Sequence, residues 1–102
     1  MLAFLKKLFR GNSVDYAELV KNGAQIIDVR TSAEFAGGHI KGSKNIPLQS
    51  LKQNINKISK NKPIITCCAS GMRSASAKSL LKANGFEEVY NGGGWASLNN
   101  KI

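Results

Sequence analysis

Pro63-Ile64-Ile65-Thr66-Cys67-Cys68-Ala69-Ser70-Gly71-Met72-Arg73-Ser74-Ala75-Ser76-Ala77-Lys78-Ser79-Leu80-Leu81 reads as strand, loop and helix in immediate succession. The apolar run before the loop has the composition of a buried strand, and the residues after Arg73 bring Ala77, Leu80 and Leu81 to one helical face. A thiol at the tip of such a strand faces a turn whose backbone N–H groups converge at a helix N-terminus. That arrangement favours a thiolate and a second negative charge upon it, the requirement of a covalent sulfur or phosphoryl intermediate.

Two cysteines compete for the role. Counted from Cys67, five residues precede Arg73 and Ser74 follows it, the skeleton of a cysteine-dependent phosphatase; counted from Cys68, Arg73 closes a six-residue loop. Gly71 stands three residues after Cys68, where a chain folding back over its sulfur needs freedom from Cβ constraints. Ser70 holds that place relative to Cys67. Alternation agrees, because Ile65 and Cys67 share one strand face and Cys68 enters the loop. Cleavage of a phosphate ester also wants a general acid for the leaving oxygen, and no acid stands near the loop in sequence; only the more distant Asp28 is a candidate. Sulfur transfer asks for less: a thiolate attacks the outer sulfur of a donor, and a leaving sulfite needs no proton. A free thiol near pKa ~8.5 falls to about 3.5 to 7.5 in such surroundings, so no histidine base is required.

Outward from the loop, residues 25–29 form a second apolar run ending in Asp28-Val29-Arg30, and Thr31 or Ser32 caps a short helix with Glu34 in its first turn, stopped at Gly37-Gly38. Residues 44–46 are a brief strand closed by Pro47. Leu48, Leu51, Ile55 and Ile58 recur at helical spacing, and residues 87–90 form a last strand. Asp15 caps a helix bearing Tyr16, Leu19 and Val20 and ended by Gly23. Four strands alternating with helices imply a parallel sheet covered on both faces, whereas a further strand at residues 9–14 has little sequence support. Arg30 and Glu34 are spaced for a helical ion pair. His39 belongs to a framework turn, and Gly92-Gly93-Gly94 to a tight turn before Trp95.

The chain of 102 residues, 42% hydrophobic, suffices for one domain. Residues 1–10, with apolar positions 1, 4, 5 and 8 and with Lys6, Lys7 and Arg10 elsewhere, read as a basic amphipathic helix, too short to span a bilayer, that docks on the domain formed by residues 11–102 in preference to a membrane surface. Two adjacent cysteines supply neither a disulfide framework nor, with the lone histidine, a metal site, which points to a reducing, cytoplasmic setting and no cofactor. Fifteen basic residues against six acidic give a net charge of +9, and no Asp or Glu falls between Glu34 and Glu87. The thiol loop therefore lies in a positive field that attracts small anions. The lysines are scattered and accompany no nucleic-acid motif.

Taken in order, Ile27-Asp28-Val29-Arg30, Glu34-Phe35-Ala36-Gly37-Gly38-His39-Ile40-Lys41-Gly42-Ser43, Asn45-Ile46-Pro47-Leu48, Cys68 through Ser74, Gly85-Phe86 and Val89-Tyr90 to Gly94-Trp95 closely resemble the rhodanese family of single-domain sulfurtransferases. The resemblance covers roughly residues 13 to 98. It implies a three-layer α/β/α sandwich around a five-stranded, mostly parallel sheet, with Cys68 carrying a persulfide and Ala69, Ser70, Gly71, Met72 and Arg73 forming the loop that binds substrate. It also implies a small anionic sulfur donor such as thiosulfate, or another persulfide, and a thiol or cyanide acceptor. Family members that prefer thiosulfate often carry basic side chains just after the cysteine, where this chain has Ala69 and Ser70. That departure keeps a second expectation in view, a sulfur-carrier module that takes persulfide sulfur from a protein partner. Either role requires a Cys68 sulfur that is ionised, faced by main-chain amides and open to a donor.

Overall fold

A computed structural model of the chain describes residues 9–10 and 13–102. Four parallel strands form the sheet in the order β4, β3, β5, β6: β3 is Gln25–Asp28, β4 Lys44–Asn45, β5 Ile64–Cys68 and β6 Val89–Gly94. Two further strands, β1 (Phe9–Arg10) and β2 (Ser13–Val14), pair with each other in antiparallel register and do not join that sheet. Among the described residues the sheet thus has four strands rather than five. Residues 1–8 of the expected N-terminal helix lie outside the described residues, and Phe9 and Arg10 are strand.

Strand β5 is buried along its whole length, so its two faces supply two cores. Ile65 and Cys67 pack with Leu19, Ile26, Ile40 and Leu98, beneath helices α1 (Tyr16–Lys21) and α4 (Trp95–Asn99). Ile64 and Cys68 pack with Ile27, Val29, Leu51, Leu81 and Phe86, beneath α3 (Met72–Ala83). A parallel strand sealed on both sides reads as an unbroken apolar run, which is why β5 was legible. The layers are those of an α/β/α sandwich.

Local chemistry sets the remaining boundaries. The Asp15 side chain accepts from Glu18 N at 3.1 Å and starts α1. Thr31 and Glu34 close a capping box on α2 (Ser32–Ala36), each side chain accepting from the other's backbone N–H. Gly85, with φ of 92°, takes the left-handed conformation after α3. The face carrying Leu48, Leu51, Ile55 and Ile58 does pack on the core, but its backbone is not the expected single helix. It makes two 3₁₀ segments, Leu48–Ser50 and Lys52–Lys57, with Asn54 at φ −120° and ψ 15°. Asn54 Nδ2 donates to Ser50 O at 2.8 Å, a side-chain bond to backbone of the kind that competes with α-helical pairing.

Candidate active site

Cys68 ends β5 and α3 begins at Met72, so the loop between them has to reverse the chain within three residues. Gly71 makes the reversal at φ +108°, a conformation that side chains with a Cβ rarely adopt. It is also the N-cap of α3, yet no side chain caps that helix in the ordinary way. The Cys68 sulfur takes the part: Gly71 N donates to Sγ at 3.0 Å and Ser74 N at 3.4 Å. Unpaired N–H groups at the start of a twelve-residue helix are thereby spent on one sulfur atom.

Burial alone would push the Cys68 thiol up. The Ser74 hydroxyl and the backbone N–H groups of Ser74, Gly71 and Ser70 outweigh it and hold the thiol below its ordinary value. Its neighbour goes the other way. Cys67 has no exposed surface, and burial, reinforced by the nearby Asp28 charge, pushes its thiol up to about 12. One residue along the strand separates an acidic thiol from an inert one, because the pleat sends Cys67 into the apolar core and Cys68 toward the helix start.

The other loop residues are placed unevenly. Ala69 and Ser70 are exposed and bring no charge. Met72 is 80% exposed and points away from the domain. Arg73 turns to Glu34, with Nη1 donating to Oε1 at 2.7 Å and Nη2 to Oε2 at 3.0 Å. Its cation is therefore engaged by a carboxylate of α2. Cys68 itself is only 1% exposed, so the sulfur meets the expected ring of amides but lies closed beneath its loop, not open to solvent. Of the loop, Arg73 joins Val29, Thr31, Pro47, Leu48 and Gln49 in lining a cavity of about 270 Å³.

The expected Arg30 to Glu34 side-chain pair does not form. Arg30 instead grips Asp28, with Nη2 to Oδ2 at 2.7 Å, donates to Gly38 O at 2.7 Å and lies over the Trp95 ring; only the Glu34 backbone carbonyl receives an Arg30 N–H, at 3.3 Å. Asp28 and Arg30 thus make the framework hydrogen bonds expected of a strand end, and burial of both makes Asp28 a stronger partner for Arg30 than Glu34. His39 is framework: its Nδ1–H donates to Phe35 O at 2.8 Å and its ring stacks on Phe35. Two residues of the site escaped the sequence. Ser74 directly follows Arg73, and nothing in that position alone marks it as a partner of the sulfur. Asn91, whose Oδ1 lies 2.6 Å from Ser74 Oγ, is seventeen residues away and announces itself by no motif.

The family model for the rhodanese-like domain matches residues 13–101. The chain is 48% identical over 80 residues to the uncharacterized protein YqhL of Bacillus subtilis, covering 78% of this chain and 64% of that protein. It is 41% identical over 73 residues to the thiosulfate sulfurtransferase GlpE of Ectopseudomonas mendocina, covering 72% of this chain and 67% of that one. The chain thus spans about two thirds of the length of these relatives. Among solved structures, a rhodanese-like domain protein from Staphylococcus aureus superposes with a TM-score of 0.71 at 35% identity, over 82% of this chain and 86% of that one. The strand order, the loop between β5 and α3 and these matches together make the chain a member of the rhodanese-like domain family.

Proposed function

We propose that the protein is a sulfurtransferase that carries sulfane sulfur as a persulfide on Cys68. The observation that carries this is the convergence of the Gly71 and Ser74 N–H groups on Sγ. The thiolate attacks the outer sulfur of the donor; the donor's S–S bond breaks, and its electron pair leaves with sulfite or with a thiolate. The product, Cys68–S–S⁻, keeps one negative charge, and the loop amides that served the thiolate are disposed to serve it as well. An acceptor thiolate or cyanide then attacks the outer sulfur and returns the bonding pair to Sγ. The relatives named thiosulfate sulfurtransferase support the same chemistry.

The closed sulfur sets a condition on this role: residues 69–73 must part to admit the donor. Mass spectrometry of protein incubated with thiosulfate tests it. One added sulfur is expected on Cys68, lost in Cys68→Ser and retained in Cys67→Ser; a wild-type protein that stays unmodified with thiosulfate and with low-molecular and protein persulfides overturns it.

A second reading, a carrier fed by a persulfide on an organic thiol or a protein, has its own support. Arg73 is already paired, Ala69 and Ser70 are uncharged, and Met72 is an exposed apolar side chain at the loop. Loading by such persulfides, with none from thiosulfate, would establish it.

A further inference from the structure

Asn91 Oδ1 sits 2.6 Å from Ser74 Oγ and 3.0 Å from Gly93 N. The backbone N–H of Gly93 only donates, so the Asn91 atom facing it is the amide oxygen, and the amide nitrogen is left to face Gly71 O at 3.4 Å. That oxygen only accepts. The short contact to Ser74 is therefore made by the serine hydroxyl proton.

Ser74 has one such proton and three acceptors within reach. Besides Asn91 these are Gly71 O at 3.0 Å and, at 3.5 Å, the Cys68 sulfur. While the proton lies on Asn91, Ser74 Oγ offers the sulfur lone pairs alone. It then receives the S–H of a thiol and gives nothing to a thiolate.

We propose that Asn91 is a positioning residue that keeps the Ser74 hydroxyl proton off the Cys68 sulfur until the sulfur ionises, whereupon the hydroxyl turns to it. The inference rests on Cys68 being the working nucleophile. Asn91 acts by competition, since each turn toward the sulfur gives up a short bond to the amide oxygen. The thiolate is thereby left less stabilised and, being more basic, more nucleophilic than the loop amides and a free serine would make it. Asn91 is itself held in register by Tyr16, whose hydroxyl donates to Asn91 O at 2.9 Å. Among the described residues, the other charged or titratable groups bearing on the sulfur are Arg73 on α3 and Cys67 on β5.

The rate of Cys68 alkylation by iodoacetamide, followed against pH in the whole protein, tests this without any sulfur donor, so its outcome is separate from that of the transfer assay. Asn91→Ala is expected to lower the apparent pKa of alkylation by about 0.5 to 1 unit, the value of one hydrogen bond. Asn91→Asp keeps the acceptor, adds charge and is expected to raise it. In a Ser74→Ala background, Asn91→Ala is expected to move nothing. An unchanged or raised value in Asn91→Ala, or an equal fall with and without Ser74, overturns the proposal. Should Asn91→Ala fail to fold, Asn91→Asp decides alone: its rise is expected to be larger with Ser74 than without, and equal rises overturn it.

Discussion

Arg73 and Glu34 form a two-pronged ion pair that ties the first turn of α3 to the first turn of α2. Glu34 is already engaged there, since its Oε1 accepts from Thr31 N at 3.0 Å and Thr31 Oγ1 at 3.1 Å in the capping box. A single carboxylate therefore starts one helix and holds the cation of the thiol loop. Glu34→Gln keeps hydrogen-bonding capacity for the cap and releases the charge of Arg73. If the site takes thiosulfate, the freed guanidinium should lower KM for that anion by a few-fold and leave kcat near its original value. Steady-state kinetics with thiosulfate and cyanide would show this, and a raised KM would mean that the pair serves to shape the loop.

The same pair has an acid limb. Arg73, together with the Thr31 N–H, lowers the Glu34 carboxyl to about 2. In the unfolded chain this carboxyl ionises at about 4.3. A depressed folded value stabilises the fold above the unfolded one and is lost as pH falls through the folded one. Thermal midpoints should therefore decline between about pH 4.3 and 2 more steeply in the wild type than in Glu34→Gln, with the difference shrinking as salt is added, because both side chains are partly exposed.

Cys67 gives an alkaline limb of opposite sense. Its thiol is raised to about 12 in the folded protein, against about 8.5 when unfolded. A raised thiol leaves stability intact below the unfolded value and removes it as pH climbs through the folded one. Stability should fall between about pH 8.5 and 12, and Cys67→Ala should flatten part of that fall. The remainder belongs to Tyr16 and Tyr90, both of which burial raises. Urea midpoints across this range are the measurement; identical slopes in the two proteins would show that Cys67 ionises in the fold without penalty.

Most of the fold was legible because β5 and its loop announce themselves. A five-residue apolar strand, a thiol, a glycine three residues on and a helix start carry their own order. What escaped was either too short or too distant. Strands β1 and β2 are two residues each, below the length at which alternation is visible, and they form a ribbon of their own instead of a fifth sheet strand. The apolar spacing at residues 48, 51, 55 and 58 identified the buried face, but the same spacing suits 3₁₀ turns, and Ser50 and Asn54 tip the backbone that way. At the candidate site, the placement of Cys68 at the strand end and of Gly71 at the chain reversal was legible from local geometry. The partners of Arg30 and Arg73 were not, because burial beside Asp28 in one case and a contact across 39 residues in the other decide them.

That buried pair carries a large expected cost. Asp28 has no exposed side-chain surface, Arg30 has 5%, and the carboxylate receives Arg30 Nε, Nη2 and backbone N. Asp28→Ala would strand a guanidinium between Gly38 O and the Trp95 ring. Removing one partner of a buried ion pair costs about 3 to 5 kcal/mol. Urea denaturation should show a loss of that size, with sulfur loading at low temperature retained in the folded fraction, since neither residue touches the Cys68 sulfur.

Gly94 separates effects on the site from effects on the fold. A Cβ at Gly94 would lie 2.8 Å from Ala69 O, inside contact distance of the loop backbone that curls over Cys68. At Gly92, two residues earlier, a Cβ would meet Ile65 Cγ2 and Thr66 O at 2.8 Å and Leu98 Cδ2 at 2.9 Å, all within the core. Overpacking of either kind costs about 1 to 3 kcal/mol, but the two substitutions press on different things. Gly92→Ala should lower the unfolding midpoint and, acting only through its neighbour Asn91, move the pH profile of Cys68 alkylation less than Gly94→Ala does. Gly94→Ala should displace residue 69, loosen the Gly71 and Ser70 amides from the sulfur and shift that profile upward, because those N–H bonds, together with the Ser74 hydroxyl and N–H, are what offset burial. Paired urea melts and alkylation profiles of the two variants are the check. A Gly94→Ala protein whose profile matches the wild type would show that the loop keeps its grip on the sulfur without support from β6.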